Sequence, residues 1–239
     1  MVNTGQLIVG ILGNITSICL FASPAFRPFW TIYKTKSSGE FTAYPYIATL
    51  FNCALWLIYG SPLVHKAVLI LIINAIGVFL EILYICVYII YSSPKKRVIV
   101  MGLMCVAAAI LIAVAVLNIY GFDNDHTNTR ETFTGVLCAI AGVCMYFSPL
   151  LVMRLVVKTR SVVYMPLPMS IFVLLNGIMW MVYGLIEHPL NLYITIPNGM
   201  GVILGLVQLI LYAVYRKQVD LGKSTDAESA VQVEHAEAP

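Results

Sequence analysis

The chain has 239 residues, of which 60% are hydrophobic and 10% charged, with a mean hydropathy of +0.90. Soluble domains carry about a quarter charged residues, so this composition excludes an ordinary soluble globular protein and points to a membrane protein. A net charge of +3 is no signal for nucleic acid, which calls for a strongly basic face.

Apolar runs predict seven spanning helices, at 6–26, 44–61, 67–91, 98–120, 132–153, 165–186 and 190–215. Runs of about 20 residues cross the hydrocarbon as helices, which satisfy their own backbone polar groups there. Strong period-two alternation is missing, which argues against a barrel. The first run has no basic segment before it and flows into the body of the protein, so it does not read as a cleavable signal peptide. Asn14, in "NIT", matches a glycosylation sequon but lies inside that run, and acceptors sit on exposed loops. It is read as a chance match. All six cysteines fall within spans and are expected as free thiols packed like small hydrophobes. The longest polar connection is "GFDNDHTNTRE", from Gly121. After Arg216 the chain turns polar, and residues 217–239 cannot bury enough apolar surface to fold alone. They are expected to be a disordered cytosolic tail.

Orientation follows from the cations. Arg27, Lys34, Lys36, Lys95, Lys96, Arg97, Arg154, Lys158, Arg160, Arg216, Lys217 and Lys223 fall in one set of connecting segments; only Lys66 and Arg130 fall in the other. Basic residues stay on the cytosolic side. The N-terminus is therefore expected outside and the C-terminus in the cytosol, which requires an odd number of spans.

The chain repeats itself. "NCALWLIYG" from Asn52 returns as "NGIMWMVYG" from Asn176, 124 residues on. Trp56 and Trp180, Tyr59 and Tyr183, Lys34 and Lys158, Asn74 and Asn198, and Gly77 and Gly201 keep the same offset. Upstream, Ser23-Pro24 returns as Ser148-Pro149 at an offset of 125, so the first copy holds one extra residue between Pro24 and Lys34. Each copy covers three spans, and the fourth span matches neither. Three spans reverse the chain's direction and a fourth restores it, so both copies run the same way. The expected fold is an all-α membrane protein with seven transmembrane helices, as two parallel three-helix repeats joined by a linker helix. The divisions are 1–91 for the first repeat, 92–121 for the linker helix, 122–216 for the second repeat and 217–239 for the tail. Parallel repeats about an axis along the membrane normal are a transporter plan, with substrate at their interface near the midplane.

Asn52, Trp56 and Tyr59 share a helix face by spacing, as do Asn176, Trp180 and Tyr183. With Asn74 and Asn198 they offer four amides and two indoles to a common axis. Carboxamides donate and accept, which suits a ligand rich in hydroxyls, and an indole offers a flat apolar face. No charged side chain accompanies them, which disfavours a charged substrate. Asn52 and Asn176 can equally be interhelical glue, and the tryptophans can equally be core. Pro24, Pro45, Pro149 and Pro166 fall within or at the ends of four spans; each marks a pivot, a fixed bend or a helix terminus. Glu81 is the one carboxylate deep in a span, with Gly205 as its counterpart, and reads as a packed hydrogen-bonding group or as a proton-sensing one.

The stretches "GNITSICLFASP", "FTAYPYIATLFNCALWLIYG", "MYFSPLLVMRLVVKTRSVVYMP", "NGIMWMVYG" and "IPNGMGVILGLVQLILY" resemble the SWEET sugar transporters, best known from plants, over about residues 8–216. The resemblance implies facilitative, bidirectional sugar movement by alternating access, without a cofactor, metal or catalytic chemistry. It implies sugar binding by Asn74 and Asn198, with Trp56 and Trp180 as walls. It implies rocking on Pro24, Pro45, Pro149 and Pro166, and an outer gate of Tyr59, Lys66 and an acid, for which Glu187 is the candidate. Asn52 and Asn176 stand where sucrose-carrying members have small serines, so a narrower pocket and a monosaccharide such as glucose are expected. Plasma membrane is the expected location, the bilayer and a small neutral sugar are the expected partners, and homo-oligomers are left open. The alternatives are a sucrose-carrying member, an amino-acid carrier or a seven-helix receptor.

Overall fold

The computed structural model describes residues 4–122, 127–163 and 165–236, with the side chains of 26, 27, 127 and 217–236 outside the described set. The described residues are helical and contain no strand. The first span is α1 (Thr4–Pro24), which passes through a π-helical segment (Ala25–Phe29) into α2 (Trp30–Thr35). The second and third are α3 (Tyr44–Gly60) and α4 (Val68–Tyr91). The linker is α5 (Pro94–Tyr120). The fifth span is broken at Tyr146 into α6 (Thr127–Met145) and α7 (Phe147–Thr159). Then come α8 (Leu167–Ile186) and α9 (Leu192–Ala236), of which Leu192–Arg216 is the apolar, membrane-crossing part. With 17 residues, α3 is the shortest of the seven. It rises about 25 Å, at the lower end of what crosses a bilayer.

Local chemistry sets these limits. Pro45, Pro94 and Pro168 occupy the first turns of α3, α5 and α8, where a missing N–H breaks no helical bond. Lys36 and Arg160 close α2 and α7 in the left-handed region, at φ 53° and 50°; they are 124 apart, so the repeat extends to the caps. Pro24 cannot donate to Leu20, and the Ser23 hydroxyl bonds that carbonyl instead, at 2.7 Å. The extra residue of the first copy falls where the π turn sits, because a π turn accommodates one more residue than an α turn. It carries the helix on to Thr35, beyond the expected end of the first span.

The repeats interlock. α3 packs on α4, and α8 on α9. α1 lies between α4 of its own repeat and α8 of the other, while α6 lies between α9 of its own and α3 of the other. α5 leans on α3 and α4 and stays peripheral, with Val100, Val114 and Asn118 buried. Phe79, Ile90, Ile112, Ile140, Ile203 and Ile210 are exposed around the bundle, as expected of side chains that face lipid. All six cysteines are free; Cys53 and Cys138 are buried, while Cys86, Cys105 and Cys144 are exposed. The backbone of α9 is helical to Ala236. The tail expected to be disordered falls on residues whose side chains, or, at 237–239, whose whole placement, lie outside the described set.

Candidate substrate site

Where the two repeats meet, a cavity of about 330 Å³ is lined by α1, α3, α4, α6, α7, α8 and α9. The lining contains no charged side chain. Asn74 and Asn198 enter it from α4 and α9 in the same way. Each donates Nδ2 to the carbonyl four residues back, Ile70 for Asn74 and Ile194 for Asn198, at 2.8 Å in both cases. A carbonyl only accepts, so this bond fixes the amide orientation. It leaves each Oδ1 without a partner among the described residues and available to a ligand hydroxyl.

The other pair is not used symmetrically. Asn176 Oδ1 accepts from Ser17 Oγ at 2.6 Å and Thr16 Oγ1 at 3.0 Å. Trp180 Nε1 donates to the same Ser17 hydroxyl at 3.1 Å. α1 thus ties Asn176 and Trp180 into the wall. In the second copy the counterparts of Thr16 and Ser17 are Ala141 and Gly142, which have no hydroxyl to give. Asn52 Oδ1 accordingly has no partner, and Trp56 is half-buried at the cavity wall. The two copies therefore differ: Asn176 is bonded to α1, while Asn52 Oδ1 is left open at the cavity wall.

The end of the cavity near the third-span entry is sealed. Tyr59 is fully buried and accepts from Asn191 Nδ2 at 2.7 Å. His65 stacks on it with ring centroids 4.8 Å apart. His65 Nε2 meets Glu187 Oε1 at 2.6 Å and its Nδ1 meets Glu131 Oε1 at 3.1 Å. Carboxylates only accept, so it is the imidazolium form of His65 that can donate to both at once. Burial pulls the His65 pKa down, but the two carboxylates outweigh it, and the net shift is upward. The structure brings Tyr59 and Glu187 together through His65. Lys66 is exposed, with φ 58°, and does not join them. His65, Glu131 and Asn191 were not picked out in the sequence; a histidine beside a lysine in a short loop gave no spacing signal.

Of the four prolines, Pro24 ends α1 at the π turn and Pro149 lies in the first turn of α7, just past the break at Tyr146. Pro45 is in the first turn of α3 and Pro166 precedes α8, so both stand at helix termini. Pro149 also lines the cavity. Glu81 is buried, with Oε2 unpartnered; it lies outside the cavity lining.

Two like-oriented three-helix repeats around a cavity without charged side chains have the architecture of a membrane transporter. The family profile described as "Sugar efflux transporter for intercellular exchange" matches twice, over residues 7–96 and 132–220, and the chain belongs to that family. It is 46% identical over 209 residues to the bidirectional sugar transporter SWEET7b of Oryza sativa subsp. indica, covering 87% of this chain and 77% of that one. It is 38% identical over 222 residues to SWEET8 of Arabidopsis thaliana, covering 92% and 91%. Among solved structures, the 3.7 Å structure of a eukaryotic SWEET transporter matches with a TM-score of 0.84 and 34% identity, over 89% of this chain and 97% of that one.

Proposed function

We propose that the chain is a facilitative, bidirectional uniporter for a small neutral sugar, with glucose as the favoured substrate, working by alternating access. The observation that carries this is the pair Asn74 and Asn198, whose free Oδ1 atoms face an uncharged cavity of about 330 Å³. Two acceptors with apolar walls suit a solute that presents several hydroxyl donors to them. Family membership and the relatives' names support sugar as the substrate class. Asn52 and Asn176 both line the cavity, and their bulk supports a monosaccharide over a disaccharide.

In this reading Trp56 and Trp180 are pocket walls, and the outer gate is Tyr59, His65, Glu131, Glu187 and Asn191, with Lys66 at its rim. Pro24 and Pro149 are the points where the first span of each repeat pivots, beside the π turn and the Tyr146 break. Pro45 and Pro166 serve as end bearings of α3 and α8. The repeats occupy 1–91 and 122–216, the basic segments face the cytosol, and the plasma membrane is the location.

Flux of labelled glucose and sucrose into proteoliposomes without an ion gradient tests the reading. Glucose should equilibrate, and Asn74→Ala and Asn198→Ala should each slow its flux about tenfold at low glucose concentration. Sucrose flux at a similar rate would overturn the monosaccharide assignment. No flux of either sugar by folded protein would overturn the carrier reading.

A further inference from the structure

The end of the bundle opposite the Tyr59–His65 seal holds a second cavity of about 260 Å³. It shares Pro149, Val173 and Gln208 with the central one, so the two adjoin along that wall. Ser170 and Gln208 are its deepest polar groups, only 2% and 7% exposed. Gln208 Oε1 has no hydrogen-bond partner. Buried polar atoms are nearly always paired, so an amide oxygen left open on the wall between two cavities calls for a ligand donor.

The repeat shows what fills the matching place in the first copy. The first-copy counterparts of Ser170 and Gln208 are Tyr46 and Tyr84. There Phe29 stacks on Tyr84 at 4.5 Å and meets Tyr46 edge-on at 4.9 Å. The Tyr84 hydroxyl is spent on the Phe21 carbonyl at 3.0 Å. Counted back from Lys34, the counterpart of Phe29 is Met153. Three aromatic rings fill the first repeat where a methionine, a serine and a glutamine stand in the second. The exchange removes volume and adds hydroxyl and amide groups at once.

We propose that Ser170 and Gln208 form a second, one-sided subsite for a polyhydroxylated neutral solute, occupied between the central cavity and the basic face of the membrane. This rests on the reading of the chain as a sugar carrier. The subsite makes binding from the basic face stronger than binding from the other face. In a passive carrier Vmax/KM is the same in both directions, so the asymmetry appears as a difference between the two KM values, offset in Vmax.

The full chain is reconstituted in proteoliposomes, the two orientations are separated by protease access to the tail, and zero-trans glucose flux is measured from each face. Gln208→Met keeps the side-chain length and removes the amide; Ser170→Ala removes the hydroxyl with little change in volume. Loss of one hydrogen bond predicts that KM at the basic face rises about 3- to 10-fold relative to KM at the other face. A KM ratio within twofold of wild type in both variants, with thermal stability retained, overturns the subsite alone. No glucose flux by the folded wild-type chain overturns the carrier reading and the subsite with it.

Discussion

Asn74 and Asn198 sit 124 residues apart and make the same bond at the same length, 2.8 Å to the carbonyl four residues earlier. The repeat is therefore kept in the orientation of an amide as well as in residue type. Each amide spends one N–H on its own helix and turns its acceptor to the cavity. Replacing either by alanine should weaken glucose binding about tenfold, the worth of one or two hydrogen bonds. Asn74→Asp and Asn198→Asp should do worse, since a carboxylate has no N–H for the Ile70 or Ile194 carbonyl. Flux measured against glucose concentration for the four variants checks both statements.

The seal at His65 should respond to pH. Its pKa is raised in the closed arrangement above the ordinary 6.5. The ion pairs with Glu187 and Glu131 are then complete below about pH 6.5 and are lost as pH rises through the raised value. Alkaline conditions remove the imidazolium charge and leave two carboxylates beside Tyr59 and Asn191, which loosens the closed end. With equal pH on both sides, opening at this end should be faster at pH 8.5 than at pH 6, and His65→Gln should flatten the profile. Labelling of a cysteine placed at the cavity wall, followed over that range, reads the opening. Labelling faster in acid would refute the sign.

Ser17 serves two buried groups at once, as donor to Asn176 and acceptor for Trp180. Ser17→Ala should cost about 1–2 kcal/mol, because Trp180 Nε1 loses its partner while Thr16 still reaches Asn176. Thermal unfolding in detergent measures the loss. Thr16→Val should cost less, since Ser17 makes the shorter of the two bonds to Asn176.

Gly77 and Gly201 are repeat partners that receive repeat partners. A Cβ at Gly77 would lie 2.7 Å from Cys53 Sγ and 3.0 Å from the Phe21 ring; one at Gly201 would meet the Tyr146 hydroxyl. Alanine at either should destabilise by about 1–3 kcal/mol through overpacking. Gly102 has nothing within 4 Å of the same position, so Gly102→Ala should be neutral or stabilising by up to about 1 kcal/mol through helix propensity. Melting temperatures of the three variants compare directly.

The parts legible in the sequence were those carried by residue type at a fixed offset: seven apolar runs, two copies, and the asparagine, tryptophan and glycine pairs. What was not legible depended on atoms far away in the chain. Asn52 and Asn176 look identical in sequence, but Thr16 and Ser17, some 160 residues before Asn176, tie down only one of them. His65 and Lys66 are neighbours, and only the folded chain shows that His65 is the one that meets Glu187. The first span ran past its expected end because the polar break at Arg27 interrupts hydropathy while the helix continues through the π turn. The Ser170–Gln208 cavity lies where the two copies differ in residue type, Tyr46 and Tyr84 against Ser170 and Gln208, so matching pairs carry no sign of it.

The π turn also acts as a phase corrector. One residue added to an α-helix rotates everything after it by about 100°. Without compensation, Ile32 and Phe29, now buried in the core, would swing away from α4, and the Lys36 cap would lose its register with Arg160. By taking up the added residue in five positions, Ala25–Phe29, the chain leaves the angular setting of both halves the same while lengthening only one. The two repeats can thus differ by a residue in length yet still turn about the same axis, and the extra residue lies beside Pro24, at the proposed pivot of the first span.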